Sequence, residues 1–127
     1  MLDKLEKNKD FVNIKEVDNL IELECDKNNI LSVLKKLKEN DDFIFDQLLD
    51  ITAVDNPSRE CRFDLVYIIQ SLKKNKKLIL KTSLKENDTI ETIISVHKAA
   101  DWYERECYDL FGICLLYTSD AADDCRC

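Results

Sequence analysis

Residues able to do acid–base or ligand chemistry crowd into one short stretch of this 127-residue chain. Glu104, Arg105, Glu106 and Cys107 lie between Asp101 and Asp109, and His97, the single histidine, precedes them. Carboxylates at this spacing suit three kinds of work. Glu106, held away from water, could serve as a perturbed general acid or base. Glu104, Glu106 and Asp109 together could ligate a hard metal ion. Alternatively, the charges could hold a helix against a sheet or a neighbouring protein. The catalytic reading has no nucleophile or second histidine beside it. The metal reading lacks the Glu-x-x-His pattern of helical carboxylate sites, because His97 is out of register. From spacing alone, the structural reading is the strongest of the three.

The cysteines add no site to this. They stand at Cys25, Cys61, Cys107, Cys114, Cys125 and Cys127, with no C-x-x-C pair. The terminal Cys125-Arg126-Cys127 has no second pair at a zinc-like distance, so free thiols are expected. The segment Met1–Asp10 is too charged for a secretory signal, and no apolar run approaches the roughly 18–20 residues that span a bilayer. A reducing, cytoplasmic setting follows as an expectation, with membrane association only through a partner. A formal net charge of -7 disfavours nucleic acid or an anionic membrane as the main partner.

Hydrophobic residues make up 45% of the chain and charged residues 35%, with one Gly and one Pro. That profile fits one folded domain without a flexible linker. Leu20–Cys25 alternates apolar and polar residues as a half-buried strand does. Asp26–Asn29 supplies turn and cap chemistry, and Ile30, Leu31, Val33, Leu34 and Leu37 follow at helical spacing with lysines on the other face. Phe43–Val54, Phe63–Ile69 and Leu78–Leu84 read as strands, the last two joined across the lysine-rich Leu72–Lys77, a solvated hairpin turn. Thr89–Val96 adds a short strand. The expected fold class is therefore α+β: a mostly antiparallel sheet with an amphipathic helix after the first strand and a short C-terminal helix.

That last helix carries the charged cluster. Asp101 followed by Glu104 resembles a capping box, placing the start at Trp102, and Gly112 sits where a helix end favours a left-handed residue. At 3.6 residues per turn, Ala99, Trp102, Tyr103, Glu106 and Leu110 share a face. Taken as the buried stripe, this face would force Glu106 to find a cation or several donors. Arg105 lies off it and is within reach of Asp101 and Asp109.

The run Trp102-Tyr-Glu-Arg-Glu-Cys-Tyr-Asp-Leu-Phe-Gly-Ile113 closely resembles the signature of the 30-kDa subunit family of respiratory complex I, known in bacteria as the C subunit of NADH-quinone oxidoreductase. Leu49–Asp55, Arg62, Phe63, Tyr67 and Leu72 resemble the strands that precede that signature. The resemblance implies a cofactor-free structural subunit in the peripheral arm of a proton-pumping NADH:quinone oxidoreductase. Such a subunit sits on the cytoplasmic side of the cell membrane and packs chiefly against the quinone-site (49-kDa-type) subunit. Flavin (FMN) and iron–sulfur clusters belong to the rest of the complex, so no catalytic, cofactor or metal residue is expected here. Trp102, Glu104, Arg105, Glu106, Asp109, Phe111 and Gly112 match the motif and are assigned to the fold and to contacts between subunits. The alternative is the equivalent subunit of an energy-converting membrane-bound hydrogenase or related complex.

The resemblance runs from about Leu20 to Ile113 and is strong only in the signature; residues 1–113 are expected to form one domain, with the N-terminal ~15 residues loosely held. From Cys114 to Cys127 the sequence follows no pattern of the family. Thr118 stands where the family places a histidine, and the segment resembles translated sequencing-adapter DNA.

Overall fold

The computed structural model describes residues 11–58, 60–85, 88–111, 114–116 and 125–126, with backbone alone for Val12, Asn13, Asp109 and the last two segments. In chain order the elements are β1 (Val12–Val17), β2 (Leu20–Glu24), a 3-10 turn (Lys27–Asn29) and α1 (Ile30–Glu39). They continue with β3 (Gln47–Asp55), β4 (Phe63–Ser71), β5 (Lys76–Leu84) and β6 (Thr89–Glu91), then α2 (Ala100–Phe111), β7 (Cys114–Leu116) and β8 (Cys125–Arg126). The fold is α+β. Strands β1, β7 and β8 are additions to the strands expected from sequence.

Five strands form one sheet in the order β1-β2-β5-β4-β3, and β6-β7-β8 form a smaller one. In the larger sheet every neighbouring pair is antiparallel except β2 and β5, which run parallel with Ile21 beside Leu78 and Leu23 beside Leu80. The parallel pair follows from the connection: α1 and the β3–β4 hairpin intervene before the chain returns beside β2. Strand alternation then sorts the faces. Ile21, Leu23, Ile51, Ala53, Phe63, Leu65, Tyr67, Ile69, Leu78, Leu80 and Leu84 point inward and are buried. Ile30, Val33, Leu34 and Leu37 of α1 and Ala100 and Cys107 of α2 complete the same core. Both helices thus cover one face of the sheet.

Local chemistry sets the boundaries. The Asp26 carboxylate accepts from the Asn28 N–H at 2.8 Å, opening the 3-10 turn ahead of α1. Strand β3 begins at Gln47, not at Phe43, because Ile44 adopts a φ of 50°. A β-branched residue there is strained. Its neighbours Phe43 and Phe45 are both buried, and the Phe45 N–H donates to the Leu37 carbonyl at 2.8 Å, which holds the turn in place. Asn75 takes a left-handed φ of 54° in the lysine-rich turn between β4 and β5, where an asparagine costs little. Beyond Glu91 the expected strand gives way to a turn, with the N–H groups of Val96 and His97 both donating to the Ile93 carbonyl.

Leu34 is fully buried between α1 and the sheet. Leu34→Ala is expected to lower stability by about 2–5 kcal/mol in urea unfolding, with an unchanged m-value.

Candidate functional site

Helix α2 starts two residues earlier than the capping-box reading places it. The Ala100 N–H donates to the His97 carbonyl at 3.0 Å, and the Asp101 N–H to that of Lys98 at 3.3 Å, so a preceding turn leads into the helix. Glu104 is thereby freed from a capping role and points into the protein, 1% exposed. Its carboxylate accepts from the Thr92 hydroxyl at 2.5 Å and from the Ile93 N–H at 2.9 Å. Burial raises the Glu104 pKa above the usual carboxylate value, and these two hydrogen bonds oppose the rise.

The helix face expected to be buried is in fact the outer one. Trp102 is 69% exposed and Leu110 68%, and Ala99 and Glu106 are exposed with them. The inward row is Ala100, Glu104 and Cys107, flanked by the partly buried Tyr103 and Phe111. The physical reason is close approach. Ala100 and Cys107 are small enough to bring α2 down on β3, whereas Trp102 at the same place would hold the helix off. Phe111 then packs edge-on to Phe63, with ring centroids 6.1 Å apart at 71°. Within this domain, Glu106 therefore needs no buried cation. A signal for this was present in the spacing of Ala100, Glu104, Cys107 and Phe111, which marks a helical face as regular as the one around Trp102.

Other members of the cluster are placed just as clearly. The Cys107 thiol donates to the Ile51 carbonyl at 3.6 Å and is pushed up to about 12, first by burial and then by the nearby carboxylates of Glu106, Asp50 and Glu104. A thiol so held is not a nucleophile at neutral pH. Beneath it, burial and the neighbouring Glu104 raise the hydroxyl of Tyr67 well above its usual value. Arg105 pairs with Asp101 at 3.4 Å on the exposed side, one of the two partners expected for it. The side chain of Asp109, and Gly112 altogether, lie outside the described residues. Glu104 and Glu106 face opposite sides of the helix and cannot share a metal ion. Among the described residues, no three of His, Cys, Asp or Glu come together as a metal site.

Residues 23–121 match the family described as the 30 Kd subunit of respiratory-chain NADH dehydrogenase. The chain belongs to this family. The match includes all of α2 and its charged cluster. Among curated relatives, the C subunit of NADH-quinone oxidoreductase from Cereibacter sphaeroides is 42% identical over 86 residues, covering 68% of this chain and 43% of that protein. The Rickettsia felis protein of the same name is 37% identical over 110 residues, covering 87% and 51%. The chain thus spans about half the length of the relatives it matches. Among solved structures, the membrane-bound sulfane sulfur reductase, an archaeal respiratory membrane complex, contains a chain that superposes with a TM-score of 0.79. That chain is 27% identical, and the match covers 90% of this protein and 66% of the other.

Within this 30-kDa-subunit domain, the fold also buries His97, which lies outside the signature. It is 4% exposed, and its Nε2 has no hydrogen-bond partner. It borders an open depression of about 540 Å³ shared with Lys38, Asp46 and Leu49. The Lys38 ammonium donates to the adjacent Val96 carbonyl. Burial, reinforced by Lys38, lowers the imidazole to about 4, while Asp46 opposes the shift.

Two pH effects of opposite sign follow. The folded pKa of Glu104 exceeds its ordinary 4.5, so the folded state holds the extra proton and stability falls as pH rises above about 4.5. Replacing it by Glu104→Gln is expected to remove that loss: the stability gap between wild type and variant, read from urea titrations, should move in the variant's favour on going from pH 4.5 to 7. His97 acts the other way. Its folded pKa lies below 6.5, so its contribution is present above pH 6.5 and is lost as pH falls toward 4, on the order of 3 kcal/mol. His97→Gln should flatten the acid limb of the stability profile in that window, and an unchanged limb would refute the assignment.

Proposed function

We propose that this chain is a cofactor-free structural subunit of the peripheral arm of a proton-pumping NADH:quinone oxidoreductase, packing against the quinone-site (49-kDa-type) subunit on the cytoplasmic side of the membrane. Membership of the 30-kDa-subunit family supports this reading, as do the relatives named for the C subunit of NADH-quinone oxidoreductase. The observation that carries it is what the signature helix does with its chemistry. Glu104 is engaged by Thr92 and Ile93, and the Cys107 thiol by Ile51. The groups that could have reacted are used to fix α2 on the sheet, and its outer face is left for a neighbour.

In this role, electrons pass through the flavin and iron–sulfur clusters of other subunits, and this one holds those subunits in register. No helix among the described residues is long and apolar enough to cross a membrane. In the proposed role, attachment to the membrane runs through partners. A second reading has one observation in its favour: the structural likeness to a chain of the sulfane sulfur reductase complex. On that reading the chain serves the equivalent place in an energy-converting membrane-bound hydrogenase or related assembly.

Affinity purification of the tagged full-length gene product from its native host separates these readings. Co-purification of iron–sulfur and quinone-site subunits is the expected result. A nickel-containing partner would select the hydrogenase-type assembly, and recovery of the chain alone would overturn both.

A further inference from the structure

The outer face of α2 shows what kind of surface it meets. Trp102, Glu106 and Leu110 stand four residues apart in succession, so they form a row with about 6 Å of rise between neighbours. The two apolar ends of the row are each more than two-thirds exposed. Under the row the helix is fixed by the Glu104 hydrogen bonds, by the Cys107 thiol and by the Phe63–Phe111 contact. The helix backbone beneath the row therefore has little freedom left to lose on binding.

Glu106 sits at its centre with no cation paired to it among the described residues, and the adjacent Arg105 is engaged by Asp101. Resting on the reading of this chain as a subunit, we propose that Trp102, Glu106 and Leu110 dock a neighbouring subunit whose surface offers an Arg or Lys between two apolar recesses.

The charge pattern selects this occupant over the others. A second copy meeting the same face about a two-fold axis would lay Glu106 against Glu106, because Glu106 is the midpoint of the row, and like charges repel there. An anionic lipid surface meets the same carboxylate and a chain of net charge -7. A cationic side chain on a different protein satisfies Glu106, while Trp102 and Leu110 bury apolar area on either side. Tryptophan and arginine are the residue types that anchor such contacts.

The test uses the tagged full-length protein in its native host. With the photoreactive residue p-benzoylphenylalanine at position 102, irradiation of the purified complex should yield a cross-link to a peptide of another subunit that carries Arg or Lys. Glu106→Lys should lower recovery of that subunit about tenfold and Glu106→Gln about threefold, while Leu72→Ser, in the β4–β5 turn outside α2, leaves recovery unchanged. Circular dichroism of each purified variant confirms that the domain is still folded. If unmodified protein brings down the complex, but position 102 cross-links only to a second copy, to lipid or to nothing, this proposal falls and the subunit role stands. It also falls if Glu106→Lys recovers the partner within about twofold of wild type. If the unmodified protein brings down no partner at all, both fall.

Discussion

The structure depends on one buried carboxylate. Glu104 lies almost wholly out of water, and a carboxylate in that position is costly unless donors surround it. Thr92 and the Ile93 backbone supply donors from the turn that follows β6. These bonds are made only when α2 lies flat on the sheet and the residue 92–97 turn is folded as observed. The requirement of a single charged group thus specifies the relative position of two segments that apolar packing would place less sharply. A hydrogen bond of this kind contributes about 1 kcal/mol, and leaving a buried polar group unpaired costs about 1–3 kcal/mol.

Around that tie the packing is tight because the contact residues are small. Ala100 and Cys107 let α2 approach β3 closely enough for the Cys107 thiol to reach the Ile51 carbonyl. Strand β3 is an edge of the larger sheet, and its outer backbone groups would otherwise invite another strand. The pull of Ile44 into a left-handed conformation belongs to the same arrangement: it ends the loop after α1 so that β3 starts where α2 can cover it.

Much of this was legible in the residues. The alternation in Leu20–Glu24, Phe63–Ser71 and Lys76–Leu84 matches their burial, and the spacing of Ile30, Val33, Leu34 and Leu37 marks the face of α1 that is buried. Other features were not. Phe43–Asp46 has strand-like composition but folds as a turn, because two phenylalanines find the core from either side of a strained residue. Strand β1 is made of Val-Asn-Ile-Lys-Glu-Val, too polar at alternate positions to stand out from a charged N-terminus. The face of α2 follows from side-chain volume more than from hydrophobicity. The stripe containing Trp102 and Leu110 is more apolar, yet the row of Ala100, Glu104 and Cys107 fits against a sheet.

That inversion explains why Glu-Arg-Glu can be both an internal tie and an outward surface. Residues two apart on a helix are separated by about 200°, so Glu104 and Glu106 are compelled to opposite sides. Once the fold has turned Glu104 inward, Glu106 is outward with no further choice, and Arg105 between them swings to the flank where Asp101 waits. Because the inner carboxylate is fixed by hydrogen bonds, the outer one is fixed with it in direction and height. Rotating α2 to release Glu104 would carry Trp102, Glu106 and Leu110 with it. The position of the exposed row is thus set by chemistry on the concealed side of the same helix.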